Sequence, residues 1–163
     1  MTHHFGRTGI LIRERTSVWS GVGKSGHAAR LLAATAATSG LQARYAHAED
    51  LLHGELSALR TCDVLVAVSW SGRSQQIGEI IKRAKSATVL ITGPGFSSFD
   101  CLPDHLIECE AAADTLLNGI PAESVLATLQ AGYSLIQQAA TEQERREALK
   151  LGHPHGALAQ AVI

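Results

Sequence analysis

Thr16-Ser17-Val18-Trp19-Ser20 runs directly into Gly21-Val22-Gly23-Lys24-Ser25-Gly26, and an Ala- and Leu-rich stretch at 27–39 follows before a stop at Gly40. A β-rich run, a glycine loop and an apolar-periodic stretch closed by glycine read as strand, loop and helix. The unit recurs with variations. A second strand is expected near 42–46, then a polar loop through His53 and Gly54, a third strand at 63–69 and a helix near 74–85. Strands at 87–92 and 105–109 continue the rhythm. Val64-Leu65-Val66-Ala67-Val68 is apolar throughout, as a strand is when helices cover both faces of a parallel sheet. The expected fold is α/β, a doubly wound five-stranded parallel sheet in flavodoxin-like order. The glycine loop and the serine loop at 69–74 should then be adjacent at one edge. After Pro121 comes an apolar-periodic helix to about Ala140, then a charged segment at 141–150 and a tail around His153-Pro154-His155-Gly156.

Bulk properties exclude several classes of function. A chain of 163 residues with 45% hydrophobic content buries one sizeable core. The formal charge of −1 comes from 14 basic and 15 acidic residues mixed along the chain, so there is no footprint for nucleic acid or an anionic membrane. Residues 1–15 hold two histidines and several charges but no long apolar stretch, which argues against a signal peptide and a membrane span. His3 and His4 are read as a frayed terminus rather than a metal pair. Cys62, Cys101 and Cys109 have no metal-ligand spacing, and Cys62 precedes an apolar strand where a reduced thiol packs easily. A reducing cytosol follows, with no metal expected.

In open parallel sheets ligands bind beyond the carboxyl ends of the strands, and the unusual loops of this chain fall there. Gly21-x-Gly23-x-x-Gly26 fits the dinucleotide fingerprint, but the close of strand two offers Arg44, Tyr45, Ala46 and His47, with Glu49 and Asp50 only beyond. Ribose recognition is poorly supported. A Walker-type loop fails too, because Val18 stands where the first glycine is required. The loop Ser69-Trp70-Ser71-Gly72-Arg73-Ser74 runs straight into a helix whose free N–H groups favour an anion. Three hydroxyls and a glycine at a helix start read as a phosphate cradle; the plainer alternative is an ordinary serine N-cap.

These residues resemble the SIS (sugar isomerase) phosphosugar domains, and among them those of arabinose-5-phosphate isomerases. The likeness runs from about Thr16 to the C-terminus. It rests on Gly21-Val22-Gly23-Lys24-Ser25-Gly26-His27, His53-Gly54-Glu55-Leu56, Ser69-Trp70-Ser71-Gly72 and above all His153-Pro154-His155-Gly156-Ala157-Leu158. The resemblance divides the chain into an N-terminal extension, 1–15, and an SIS phosphosugar-binding domain, 16–163, without CBS domains. It implies aldose–ketose isomerisation of a sugar phosphate with no organic cofactor, in a homodimer or homotetramer whose neighbouring subunit supplies some pocket groups. Ser69, Ser71 and Ser74 would bind phosphate, with Gly23 and Ser25 near the sugar. From its loop position Trp70 stacks on a sugar face or plugs a subunit contact, and Arg73, opposite Lys24, favours a substrate with a second anionic group or is a plain surface guanidinium. Lys24, His53 and His153 match catalytic positions.

Two departures from that pattern bear on mechanism. Arg73 and Gln76 stand where the family's loop carries glutamates, and Ala113 stands where a further catalytic glutamate is expected. Asp114 is the neighbouring substitute, and Glu110 and Glu123 are also candidates from loop position. Isomerisation needs a base, an acid–base group for ring opening and a polariser for the enediolate oxygen. His153 suits acid–base work and Lys24 charge stabilisation. The alternative is a non-catalytic phosphosugar-binding or sensing module.

Overall fold

The computed structural model describes residues 5–97 and 99–153. His3, His4 and the Pro154-His155-Gly156-Ala157-Leu158 part of the tail motif lie outside the described residues. Five strands, β1 (Ser17–Gly21), β2 (Ala43–Tyr45), β3 (Val64–Val68), β4 (Ala87–Thr92) and β5 (His105–Glu108), form one sheet in the order β2-β1-β3-β4-β5. All four pairings are parallel. This is the doubly wound flavodoxin-like order that the apolar runs predict. β1 and β3 are direct neighbours, with Gly21 opposite Val68, so the loops that follow them emerge side by side at the carboxyl edge.

Strand alternation sorts the side chains into two cores. One face buries Trp19, Val64, Val66, Val68, Val89, Ile91 and Ile107 beneath α1 (Phe5–Glu14), α2 (Gly23–Thr38) and α5 (Glu123–Ala139). The other buries Val18, Leu65, Ala67 and Leu90 beneath α3 (Ala48–Leu52) and α4 (Gln75–Arg83). The α2 residues Ala29, Leu32, Ala33 and Ala36 are buried at the spacing of one helical face, and α4 does the same with Ile77, Ile80 and Ile81. Trp19 is fully buried and its Nε1 donates to Ser17 Oγ at 2.9 Å.

The elements differ from the sequence expectation in four places. The segment expected as a polar loop through His53 contains α3 and a single 3-10 turn at Glu55–Ala58. The charged segment after Ala140 is a helix, α6 (Glu142–Gly152), opened by a reciprocal capping box between Thr141 and Glu144. Helix α1 lies within the N-terminal extension, and its Ile12 is fully buried in the core. Cys62 is exposed rather than packed, whereas Cys109 is buried and burial pushes its thiol up to about 11.

The glycine loop is explained by backbone contact. A Cβ on Gly26 would lie 2.7 Å from the carbonyl oxygen of Gly21, and one on Gly21 would lie 2.8 Å from Ser25 backbone. The end of β1 and the first turn of α2 therefore touch through two residues that have no side chains. Gly26→Ala should lower folding stability by about 1–3 kcal/mol, since fixed backbone must move to admit the methyl; the urea midpoint would fall with little change in slope.

Candidate functional site

The helices of this fold are capped in two different ways. α6 has its capping box, α3 is capped by His47 Nδ1 accepting from Glu49 N, and the start of α5 is held by Asp114, whose Oδ1 accepts from Ala122 N and Ser124 N. α2 and α4 have no side-chain cap, and neither has an acidic residue in its first turn. The α2 cap position is Val22, a poor capping residue. At α4 it is Ser74, whose hydroxyl donates to Gln76 Oε1 at 3.3 Å instead of capping. Both open helix starts follow neighbouring strands, so their free N–H groups and positive dipole ends lie at the same carboxyl edge of the sheet, one on each face.

A cation stands at each of these helix starts. Lys24 lies in the first turn of α2, where its charge runs against the helix dipole, and Arg73 lies just before α4. Neither has an ion-pair partner among the described residues. Lys24 and Ser25 line a cleft of about 340 Å³, walled by Trp70 and by Ser124 and Thr128 of α5. Ser71 and Arg73 line a second cleft of about 370 Å³, which Trp70 also borders and which Gly93 and Ala112 help to close. Ser69 is buried at the end of β3, and Ser71 Oγ accepts from Arg73 N at 3.3 Å. Gly23 opens α2 with a left-handed backbone, φ +58°.

The two histidines fall elsewhere. His53 is exposed at the C-cap of α3 and lines neither cleft. His153 closes α6, and its Nδ1 is buried without a hydrogen-bond partner among the described residues. α6 packs near Gly40, at the end of α2 remote from Lys24: a Cβ on Gly40 would be 3.4 Å from Ala148 Cβ. The 16 residues of α2 span about 24 Å, and the helical stretch from Ala148 to His153 about 8 Å, so this His153 does not reach its own Lys24.

The candidate carboxylates are engaged structurally. The backbone N–H of Ser124 and that of Ala122 hold the Asp114 carboxyl below its usual range. Glu123 Oε1 accepts from Leu116 N, Thr115 N and Thr115 Oγ1, and the Leu116 N–H leads in keeping its carboxyl low as well. A carboxylate stabilised this way is a weak base. Glu110 is exposed beyond β5, beside a separate cleft with Glu108 and Glu123. Gln76 bridges Ser74 and Glu49, donating to Glu49 Oε1 at 3.1 Å, and a glutamate at 76 would face Glu49 with like charge.

Sequence reasoning missed the loop after β4. Phe96 packs on Gly72 and Phe99 on Gly78, where added Cβ atoms would lie 2.5 and 2.9 Å from the rings, and the rings meet edge to face at 5.2 Å. Phe-Ser-Ser-Phe beside Gly93-Pro94-Gly95 is the only sequence signal for it, and that pattern has no fixed meaning alone.

Residues 10–138 match the family described as SIS domain. The arabinose 5-phosphate isomerase GutQ of Escherichia coli is 32% identical over 164 residues, covering 94% of this chain and 50% of that protein. The arabinose 5-phosphate isomerase KdsD of Escherichia coli is 34% identical over 148 residues, covering 88% and 45%. The chain thus spans about half the length of the curated relatives it matches. An Escherichia coli protein solved in complex with arabinose 5-phosphate superimposes with a TM-score of 0.75 at 28% identity, covering 89% of this chain and 80% of that one.

The capping role of Asp114 has a pH signature. Its folded pKa lies below the unfolded value of about 3.9, so its contribution is complete at neutral pH and is lost as pH falls through the lowered folded pKa. Asp114→Asn should therefore be less stable than the parent at pH 7, with the gap closing in acid. Urea midpoints measured across that range check it; a gap independent of pH would contradict the assignment.

Proposed function

Because the chain belongs to the SIS domain family, we propose that it binds a phosphorylated sugar and interconverts its aldose and ketose forms. The observation that carries this reading is the pair of uncapped helix starts on adjacent strands, with Lys24 and Arg73 at their mouths, neither ion-paired among the described residues. A phosphate supplies the acceptors that those N–H groups lack. Ser69, Ser71 and Ser74 hold the phosphate with Arg73, and Ser25 and Gly23 approach the sugar. Lys24 stabilises the enediolate oxygen. Its resemblance to arabinose 5-phosphate isomerases over most of the chain supports a pentose phosphate as substrate. No organic cofactor enters this chemistry.

The acid–base groups point to a homodimer or homotetramer. His153 is remote from its own Lys24, so in this reading a neighbouring subunit supplies it, together with His53. An apolar face supports such an assembly: Leu31 on α2 and Leu126 and Tyr133 on α5 are 47%, 63% and 40% exposed. Free thiols suit a cytoplasmic setting.

A binding module without catalysis is the second reading, and the engagement of Asp114 and Glu123 by backbone N–H groups favours it. Losing a general base removes about a hundred- to ten-thousandfold of rate. Binding should be robust and turnover weak. Pentose, hexose and heptose phosphates followed by NMR separate the readings. In an isomerase, His153→Ala abolishes aldose-to-ketose conversion and Ala113→Glu raises it; conversion by neither parent nor Ala113→Glu, with binding intact, establishes the module.

The phosphate assignment has its own test. Ser71→Ala with Ser74→Ala should weaken phosphosugar binding by about tenfold or more in calorimetry, as loss of charge-assisted hydrogen bonds does. Unaltered affinity would refute the cradle.

A further inference from the structure

Trp70 divides the site. The residue borders both clefts, the one with Lys24 and Ser25 and the one with Ser71 and Arg73. The residue is locked in place: its carbonyl accepts from Gly93 N at 2.9 Å and from Thr92 Oγ1 at 3.3 Å. The ring-fusion carbons of the indole lie 3.0 Å from where a Cβ on Gly93 would sit, so the ring rests directly on that glycine. The indole is half-buried against the core, and Lys24 lines the cleft on one side of the residue and Arg73 the cleft on the other.

We infer that Trp70 determines ligand specificity: the carbon chain of the sugar phosphate lies across its indole, between the serine loop and Lys24, and the indole limits the length and bulk of that chain. This inference rests on the proposed phosphosugar reading, in which both clefts act on a single ligand. A ligand held by Arg73 and Ser71 at its phosphate and by Lys24 at the opposite end must pass the indole. An aromatic face suits that passage, since the apolar C–H face of a sugar packs on it without desolvating a polar group. Bulky chains have no room there, because Gly93 is fully packed behind the ring and the indole has no space to retreat.

The two tryptophans give the test a direct readout. Trp19 is fully buried with its Nε1 already bonded, so a ligand in either cleft touches only Trp70. The test measures binding of arabinose 5-phosphate, a hexose 6-phosphate and a heptose 7-phosphate to the parent, Trp70→Phe and Trp70→Ala by calorimetry, with tryptophan emission recorded in parallel. The expected result is a ligand-dependent emission change in the parent that disappears in Trp70→Phe while heat of binding persists. In Trp70→Ala the affinity ratio of heptose to pentose phosphate should rise about tenfold, and Trp70→Phe should stay within about threefold of the parent. An emission change that survives in Trp70→Phe, or an unchanged ratio in a folded Trp70→Ala, overturns the role of Trp70 and leaves phosphosugar binding standing. No heat with any sugar phosphate in the parent overturns the underlying reading and this one together.

Discussion

The site depends on one close approach of backbone, that of Gly21 to Gly26. A methyl at either position would sit inside the atoms of the other turn. With none there, α2 begins immediately beyond the carboxyl end of β1, and its first N–H groups stand over the sheet edge rather than out in solvent. β3 lies beside β1, and α4 starts after a loop that Gly72 and the ring of Phe96 hold against the loop following β4. Two helix starts are brought together by strand order, and each is set by a contact that tolerates no side chain. The same glycines that resemble a dinucleotide fingerprint are thus accounted for by helix–strand packing alone.

The distribution of carboxylates follows the same logic in reverse. Where a helix start has only a structural role, an oxygen satisfies it: Asp114 at α5 and Glu144 with Thr141 at α6. At α2 and α4 the N-cap residue makes no such bond, and about 1 kcal/mol of capping is forgone at each. Local rules are broken in this manner at functional sites, and the departure supports the proposed site. It also explains the scarcity of a free base. The carboxyls of Asp114 and Glu123 are held low by the N–H groups they accept from, so stability and proton abstraction compete for the same oxygens.

Much of the architecture was legible in the sequence because its signals are local. An apolar run such as 64–68 needs covering on both faces wherever it lies, and a glycine-closed apolar period reads as a helix. The doubly wound order followed from that rhythm. α3 and α6 were not legible: α3 is five residues long, and α6 has no buried residue to mark a face. The exposure of Cys62 depends on the turn in which Asp63 accepts from Arg60, a tertiary detail with no sequence signature. At the site, the serine and glycine loops were visible as residue types, but the partition by Trp70 was not. That depends on Gly93, brought beside Trp70 by the pairing of β3 with β4.

The position of α6 carries the last step. Helix α5 descends from the carboxyl edge, and α6 turns back from its end, tied there by Arg145 donating to the carbonyls of Gln137 and Ala140. Arg13 at the end of α1 pairs with Glu144 at 3.0 Å and fixes the same corner. These ties hold α6 at Glu144 and Ala148 against Gly40, at the far end of α2. His153 closes this helix, about 8 Å beyond Ala148, rather than lying on a loop. Under the proposed assembly, a neighbouring copy is the source from which His153 would reach the Lys24 cleft, and the exposed Leu31 of α2 and Leu126 of α5 are apolar surface that such an assembly would bury.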